Sequence, residues 1–175
     1  MGQPAKENRG LLTEFLLADH RRLDGLFQAA VAHPGTIDDR AYAQFRAGLL
    51  RHIGMEEKIL LPAAQRQHGG EPLPLAAKLR LDHGALASLL IPTPTAAILE
   101  AIHNILADHN VLEEGTDGLY ETCDALAGPE VEPTLAALRA APEVTVMPYN
   151  DSSAAMNAVR RAVERAGYHL HEQHP

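Results

Sequence analysis

One pattern, written twice, limits what this chain can fold into. HIGMEEKILLP, starting at His52, places Glu56 four residues after a histidine and Glu57 directly after that; HNVLEEGTDGLY, starting at His109, repeats the arrangement with Glu113 and Glu114. With 14 Glu in 175 residues and 10 His, a His-x-x-x-Glu pair arises by accident about once, but requiring the second Glu lowers the accidental expectation to well under about 0.1 for the whole chain. Two copies therefore mark a selected arrangement. Residues four apart share a helix face, so each copy puts a histidine and a carboxylate on one stripe.

The rest of the chain supplies helices to carry these stripes. Breakers at His33-Pro34-Gly35, His68-Gly69-Gly70, Pro92-Thr93-Pro94 and Gly128-Pro129 cut it into segments of helical length, predicting helices A, about 10–33; B, about 37–68; C, about 74–91; and D, about 95–127. Only 4% of residues are aromatic and none is Trp, while Ala and Leu dominate the 46% that are hydrophobic, so the expected class is all-α. Short connections predict an up-down-up-down four-helix bundle in residues 1–128 and a small appendage in 129–175. In the appendage we expect a short helix over 133–141, an extended piece over 144–147 and a capped amphipathic helix from Asp151-Ser-Ser to Gly167, covering the bundle or a partner subunit.

Each expected helix has an apolar seam interrupted by polar residues near its middle. Helix A runs Leu12, Leu16, His20, Leu23, Phe27, and helix C runs Leu75, Leu79, His83, Leu86, Leu90. Helix B runs Tyr42, Phe45, Leu49, His52, Glu56, Ile59, Ala63, and helix D runs Ile98, Ile102, Ile105, His109, Glu113, Thr116, Tyr120. Steps of three and four keep these residues on inward stripes. Glu56 and Glu113 lie about 40° round the helix from their histidines, whereas Glu57 and Glu114 turn about 100° further, toward solvent or a neighbouring flank. The first glutamate of each pair is therefore the expected ligand, and loss of the second is expected to leave activity nearly intact.

Two bare carboxylates in such a core would cost several kcal/mol each. Two Fe(III) with a bridging oxide, two carboxylates and four imidazoles sum to about +2, a charge a polar lining tolerates better. If both carboxylates bridge, each iron has five ligands and one open position. An internal repeat agrees: DHRRLDGLF from Asp19 and DHGALASLL from Asp82 share Asp-His-x-x-Leu-x-x-Leu, each followed by a His-x-x-x-Glu-Glu. Asp19, Asp82 and Asp108 precede ligand candidates and, pointing elsewhere, are expected to be exposed helix charges.

The order His, His-x-x-x-Glu, His, His-x-x-x-Glu, carried by His20, His52, Glu56, His83, His109 and Glu113 over residues 10–127, resembles the hemerythrin-like family with the HHE cation-binding domain. The resemblance implies a non-haem centre of two iron ions, oxo- or hydroxo-bridged, that reacts with peroxide, NO or O₂ in oxidative or nitrosative stress. Oxygen-carrying members have a further histidine on the third helix and an aspartate on the fourth. Here Leu79 and Ala87 stand four residues either side of His83, as in the four-His, two-Glu variety. The implied alternative is a module that senses O₂, NO or iron and signals through the appendage to a protein partner or a second copy of the chain.

Tyr120, seven residues past Glu113, is expected either to hydrogen-bond a metal-bound oxygen from the outer shell or to be a core tyrosine with its hydroxyl at the bundle end. Asp24 follows His20 by four residues and faces either a metal or a helix flank. Cys123 is expected to be a small buried residue, His33 and His68 to complement helix C-termini, and His103 to lie off the seam. His169, His171 and His174 belong to a polar tail. A net charge of −8 argues against a nucleic-acid or anionic-membrane surface. No apolar run approaches spanning length, the opening MGQPAKENRG lacks a signal-peptide core, and one cysteine forms no internal disulfide, so a cytoplasmic protein is expected.

Overall fold

The structure is a computed structural model that describes residues 10–171; the polar stretch over residues 1–9 and His174 lie outside the described residues. The regular structure described is all helical, with no strand among the described residues. In chain order come α1 (Leu11–Ala30), α2 (Asp39–Met55), a π-helical turn (Glu56–Leu60), α3 (Leu61–Gln67), α4 (Ala76–Leu89), α5 (Ala96–Glu114) and α6 (Leu119–Ala127). A 3₁₀ turn (Gly128–Glu130) leads into α7 (Val131–Arg139), and α8 (Ser153–Arg165) closes the series. No helix among the described residues is long and apolar enough to cross a membrane.

Local chemistry sets the boundaries. Asp38 caps α2 by accepting from Ala41 N at 2.9 Å, Thr95 accepts from Ile98 N at the start of α5, and Ser152 accepts from Ala155 N at the start of α8; each satisfies a donor that a helix start leaves free. α1 is capped from a distance. Asp124 of α6 accepts from Leu12 N at 3.1 Å, Thr13 N at 2.9 Å and Thr13 Oγ1 at 2.6 Å. A Cβ at position 10 would stand 2.1 Å from that carboxyl carbon, so only glycine lets the carboxylate reach the helix end.

Two of the four expected helices are interrupted. Helix B runs over 39–67 but widens into the π turn at Glu56, where Leu61 N donates to Glu56 O, five residues back. Pro62 supplies the reason: it has no N–H for the carbonyl of Lys58, and its ring would clash with that carbonyl in a regular α-helix. Helix D stops at Glu114 and restarts at Leu119. Gly115 and Gly118 make the corner, since a Cβ at either would lie 2.6 Å from a backbone oxygen, and Asp117 takes φ 58° between them. Thr116, expected on the inward stripe, is exposed at this corner. Residues 144–147, expected to be extended, have no regular structure.

The apolar residues form two clusters with a polar layer between them. Leu23, Phe27, Phe45, Leu49, Leu86, Leu89, Ile102 and Ile105 belong to one; Leu12, Leu16, Met55, Leu60, Leu79, Leu119 and Tyr120 belong to the other. Following each chain segment through the layer, α1 and α4 pass from the second cluster to the first, while α2 and α5 pass from the first to the second. Neighbours in sequence therefore cross the layer in opposite senses. The last two helices are part of this core: Leu135 and Leu138 of α7 join the second cluster, and Val159 and Val163 of α8 join the first, α8 packing on α4.

Candidate metal centre

The layer between the clusters is built from the six residues expected as ligands. His20, His52, Glu56, His83, His109 and Glu113 are all buried. Their donor atoms form two groups, His20, His52, Glu56 and Glu113 in one and Glu56, His83, His109 and Glu113 in the other, with the atoms of each group within 4.8 Å of one another. Both glutamates belong to both groups. Glu56 turns Oε1 toward His52 Nε2 at 3.3 Å and Oε2 toward His83 Nε2 at 3.1 Å. Glu113 turns Oε2 toward His20 Nε2 at 3.4 Å and Oε1 toward His109 Nε2 at 2.9 Å. The histidines thus pair as His20 with His52 and His83 with His109, and each carboxylate spans the two pairs.

Every histidine is held from behind by a second carboxylate. His52 Nδ1 donates to Asp19 at 2.9 Å, His83 Nδ1 to Glu57 at 2.6 Å, His109 Nδ1 to Asp82 at 3.4 Å and His20 Nδ1 to Glu114 at 2.5 Å. An ionised carboxylate only accepts, so the proton of a neutral ring sits on Nδ1 and its lone pair on Nε2 faces the interior. Three of the outer carboxylates are themselves bonded to cations: Asp19 to Arg22, Glu57 to Arg80 and Asp82 to Lys78. Here the structure corrects the sequence reading. Asp19 and Asp82 are not exposed helix charges, since Asp82 is wholly buried and each orients a histidine on another helix. Glu57 and Glu114 are turned off the inner stripe as expected, but they end on His83 and His20, so their removal should not be neutral. Asp108 is exposed as expected.

The donor set fits a metal on its own geometry. His20 Nε2 and His52 Nε2 face each other at 2.9 Å, with both Nδ1 atoms already committed to carboxylates. Two inward lone pairs at that distance repel unless a proton or a cation lies between them. Glu56 Oε2, His83 Nε2 and Glu113 Oε1 are buried with no hydrogen-bond partner despite their close approaches, as befits donor atoms that converge on a shared point rather than on one another.

The carboxylates also strengthen the hold of three of these imidazoles on their protons. Burial works against a charged His52, but Glu56, Asp19 and Glu113 outweigh it and push the ring up to about 10. Against the same burial, Glu113, Glu56 and Glu57 push His83 up to about 11, and Glu113 with Asp82 pushes His109 up to about 9. Burial would raise Glu56, yet His52 and His83 bring it well below the usual carboxylate range. Burial and Glu56 both tend to raise Glu113, but His109 and His83 leave it lowered. A metal ion entering this layer exchanges for imidazole protons.

Tyr120 completes the layer. Its hydroxyl donates to Glu56 Oε1 at 2.7 Å and lies 3.1 Å from Glu113 Oε2, 2.9 Å from His20 Nε2 and 3.3 Å from His52 Nε2. Seven residues of unbroken helix would have carried it about 10 Å past Glu113; the corner at Gly115 and Gly118 returns it. Burial, Glu56 and Glu113 push its hydroxyl well above the ordinary value, so it keeps its proton. Cys123 is a buried core residue whose thiol burial pushes up to about 12. Asp24 belongs to neither group, and with His103 it lines a cavity that ends on His20, His52, Glu56 and His109. His68 ends α3, where Nδ1 donates to Glu71 O.

The buried histidines and glutamates can hold a metal ion, and their arrangement is compatible with a hemerythrin-like site. Compared with protein-family models, curated proteins and solved structures, the chain matches none, so its function is argued from these residues.

Proposed function

We propose that this chain is a hemerythrin-like, non-haem protein of the up-down-up-down four-helix type that holds two iron ions between His20, His52, His83, His109, Glu56 and Glu113 and reacts with peroxide, NO or O₂. The observation that carries the reading is the sharing of both glutamates between two histidine pairs. A site for one ion needs one such group; two groups with common carboxylates suit two ions side by side. When bound, a pair of redox-active ions supplies Lewis acidity and two electrons at one place, chemistry that the described side chains do not otherwise offer.

The chain's own residues set the conditions for that chemistry. The four outer carboxylates fix each Nε2 inward, apolar clusters pack on both sides of the layer, and Tyr120 holds a proton 2.7 Å from Glu56 Oε1, where a reacting oxygen would need one. Leu79 is buried in the apolar cluster beside His83, and the symmetric pairing of two histidines with each group favours turnover of peroxide or NO over reversible carriage of O₂, which benefits from one full and one open ion. Metal analysis of protein made in iron-replete cells tests the proposal. Two irons per chain are expected; one or none, or zinc in preference to iron, would count against it.

A second reading, a sensor of O₂, NO or iron that signals through residues 129–175, draws support from one contact. Lys78 Nζ donates both to Asp82 Oδ1 at 2.6 Å and to Ala166 O at 2.9 Å just past α8, and lies 4.7 Å from the Tyr168 ring. A change at His109 thus reaches α8 through Asp82 and Lys78. Amide exchange over residues 160–168 should respond to metal in the wild type and not in Lys78→Met; an identical response in both would remove this reading.

A further inference from the structure

The cavity beside the histidine and glutamate layer is larger than a diatomic molecule requires. It encloses about 130 Å³, with apolar walls that include Leu23, Phe27, Leu49, Ile53, Leu86 and Leu106. Its inner end is the face of His20, His52, Glu56 and His109, and its rim carries the exposed Asp24 and His103. The His103 ring stacks on Phe27, with centroids 6.4 Å apart and planes 16° from parallel. O₂, NO and hydrogen peroxide are each close to a water molecule in size, whose share of the liquid is roughly 30 Å³, whereas an apolar cavity of about 150 Å³ accepts benzene. A diatomic ligand would leave most of the space unfilled, and apolar walls do not hold water in its place.

Charge narrows the ligand further. No Lys or Arg lines the cavity, so a carboxylate or phosphate on the substituent would lie among apolar walls near Asp24, away from the metal ligands, with no cation to pair with. Asn110, which also lines it, has a buried Oδ1 without a partner, an acceptor for a single O–H group. The ligand that fits is neutral and apolar over most of its surface, with one hydrogen-bonding end toward the metal ligands.

We propose that the substrate of this centre is an uncharged organic hydroperoxide whose substituent is a short alkyl or aryl group of up to about benzene size; this deepens the function proposed above and rests on it. The substituent fills the apolar cavity and the O–O group faces Glu56 and His109. In the reaction the O–O bond of ROOH breaks, two electrons and two protons are taken up, and ROH and water leave. The electrons for one turnover come from two metal ions that each rise by one oxidation step; the two protons come from water, one of them by way of the Tyr120 hydroxyl, and two hydroxide ions remain as the balance.

Two measurements on the full chain test the assignment. The first uses tert-butanol, an unreactive probe, and follows methyl resonances of Leu23, Leu49 and Ile53 in the protein as purified. Saturable shifts are expected, weakened at least tenfold in Leu106→Trp and, as a milder filling of the same space, in Leu106→Phe. The second compares tert-butyl hydroperoxide with hydrogen peroxide as single-turnover oxidants of the reduced, iron-loaded protein. The organic peroxide should react at least tenfold faster, and that ratio should fall at least tenfold in either variant. Absent methyl shifts, a wild-type preference for hydrogen peroxide, or equal loss of both rates in the variants would overturn the substrate assignment while leaving the metal centre standing. Failure to take up iron would overturn both, and iron content identifies that case separately.

Discussion

Removing Glu57 should weaken metal binding even though Glu57 is not a ligand. Its Oε1 accepts from His83 Nδ1 at 2.6 Å and its Oε2 from Arg80 Nε at 3.2 Å. In Glu57→Ala the His83 ring loses the contact that fixes its tautomer and aim, and a ligating histidine deprived of such a partner typically loses 10–100-fold in metal affinity. That is about 1.4–2.8 kcal/mol, in line with one hydrogen bond to a charged group. The Glu57 side chain is 25% exposed, so water replaces part of what is lost and the expected effect lies near the lower end, about tenfold. Glu57→Gln keeps an acceptor for Nδ1–H and should recover to within about threefold of the wild type. Glu56→Ala, which strips an oxygen from both donor groups, should fail to retain a full metal complement. Competition against a chromogenic chelator at fixed pH, with metal content measured in parallel and helicity checked by circular dichroism, reads all three. An alanine variant within twofold of the wild type, or a glutamine variant no better than alanine, would refute the reasoning.

Three further outcomes follow from the same structure. Tyr120→Phe should keep the metal complement yet slow turnover of peroxide or NO by about 10²-fold, the usual contribution of a positioned proton donor; loss of metal instead would make the hydroxyl a structural or ligating group. Asp124→Ala removes the acceptor of Leu12 N, Thr13 N and Thr13 Oγ1 and should cost about 1–2 kcal/mol, lowering Tm by about 2–8 °C without changing metal stoichiometry, and an unchanged melting curve would show that α1 needs no cap. The metal-free protein should lose stability as pH rises. His52, His83 and His109 have folded values of about 10, 11 and 9 against an ordinary 6.5, so their contribution is complete below about 6.5 and is lost as pH climbs through 9 to 11. Metal affinity should rise over the same span as proton competition falls, and melting curves with chelator titrations between pH 6 and 10 check both signs.

The six residues of the buried layer were legible because helical periodicity acts on each residue separately: a histidine or glutamate three or four positions from apolar neighbours shares their burial whatever the other helices do. The interruptions were harder to read, although both left marks. Pro62 lies inside the segment expected as one long helix, and a proline there must disturb the carbonyl four residues back; the disturbance is the π turn that begins at Glu56. GTDG, from Gly115 to Gly118, has the glycine spacing of a tight corner, and reading through it placed Thr116 inward and left the reach of the Tyr120 hydroxyl undecided. The long-range cap from Asp124 to α1 has no local signature, because its two partners are more than 100 residues apart.

The outer carboxylates show why a correct local angle can still lead to a wrong environment. A residue one position from an inward-facing side chain points about 100° away from the bundle axis, and when other helices surround that axis this direction meets a neighbour rather than water. Asp19 and Asp82 precede their inward histidines, and Glu57 and Glu114 follow their inward glutamates. Because α1 and α4 cross the layer in one sense and α2 and α5 in the other, stepping back one residue on the first pair and forward one on the second turns the side chain the same way around the axis. The four contacts therefore close into a ring, from α1 to α2, from the π turn to α4, from α4 to α5 and from α5 back to α1. Asp-His on helices of one direction and Glu-Glu on helices of the other are two spellings of one requirement: each helix brings an inward histidine or glutamate and, beside it, a carboxylate that aims the next helix's histidine. That requirement explains why the second glutamate is written both times.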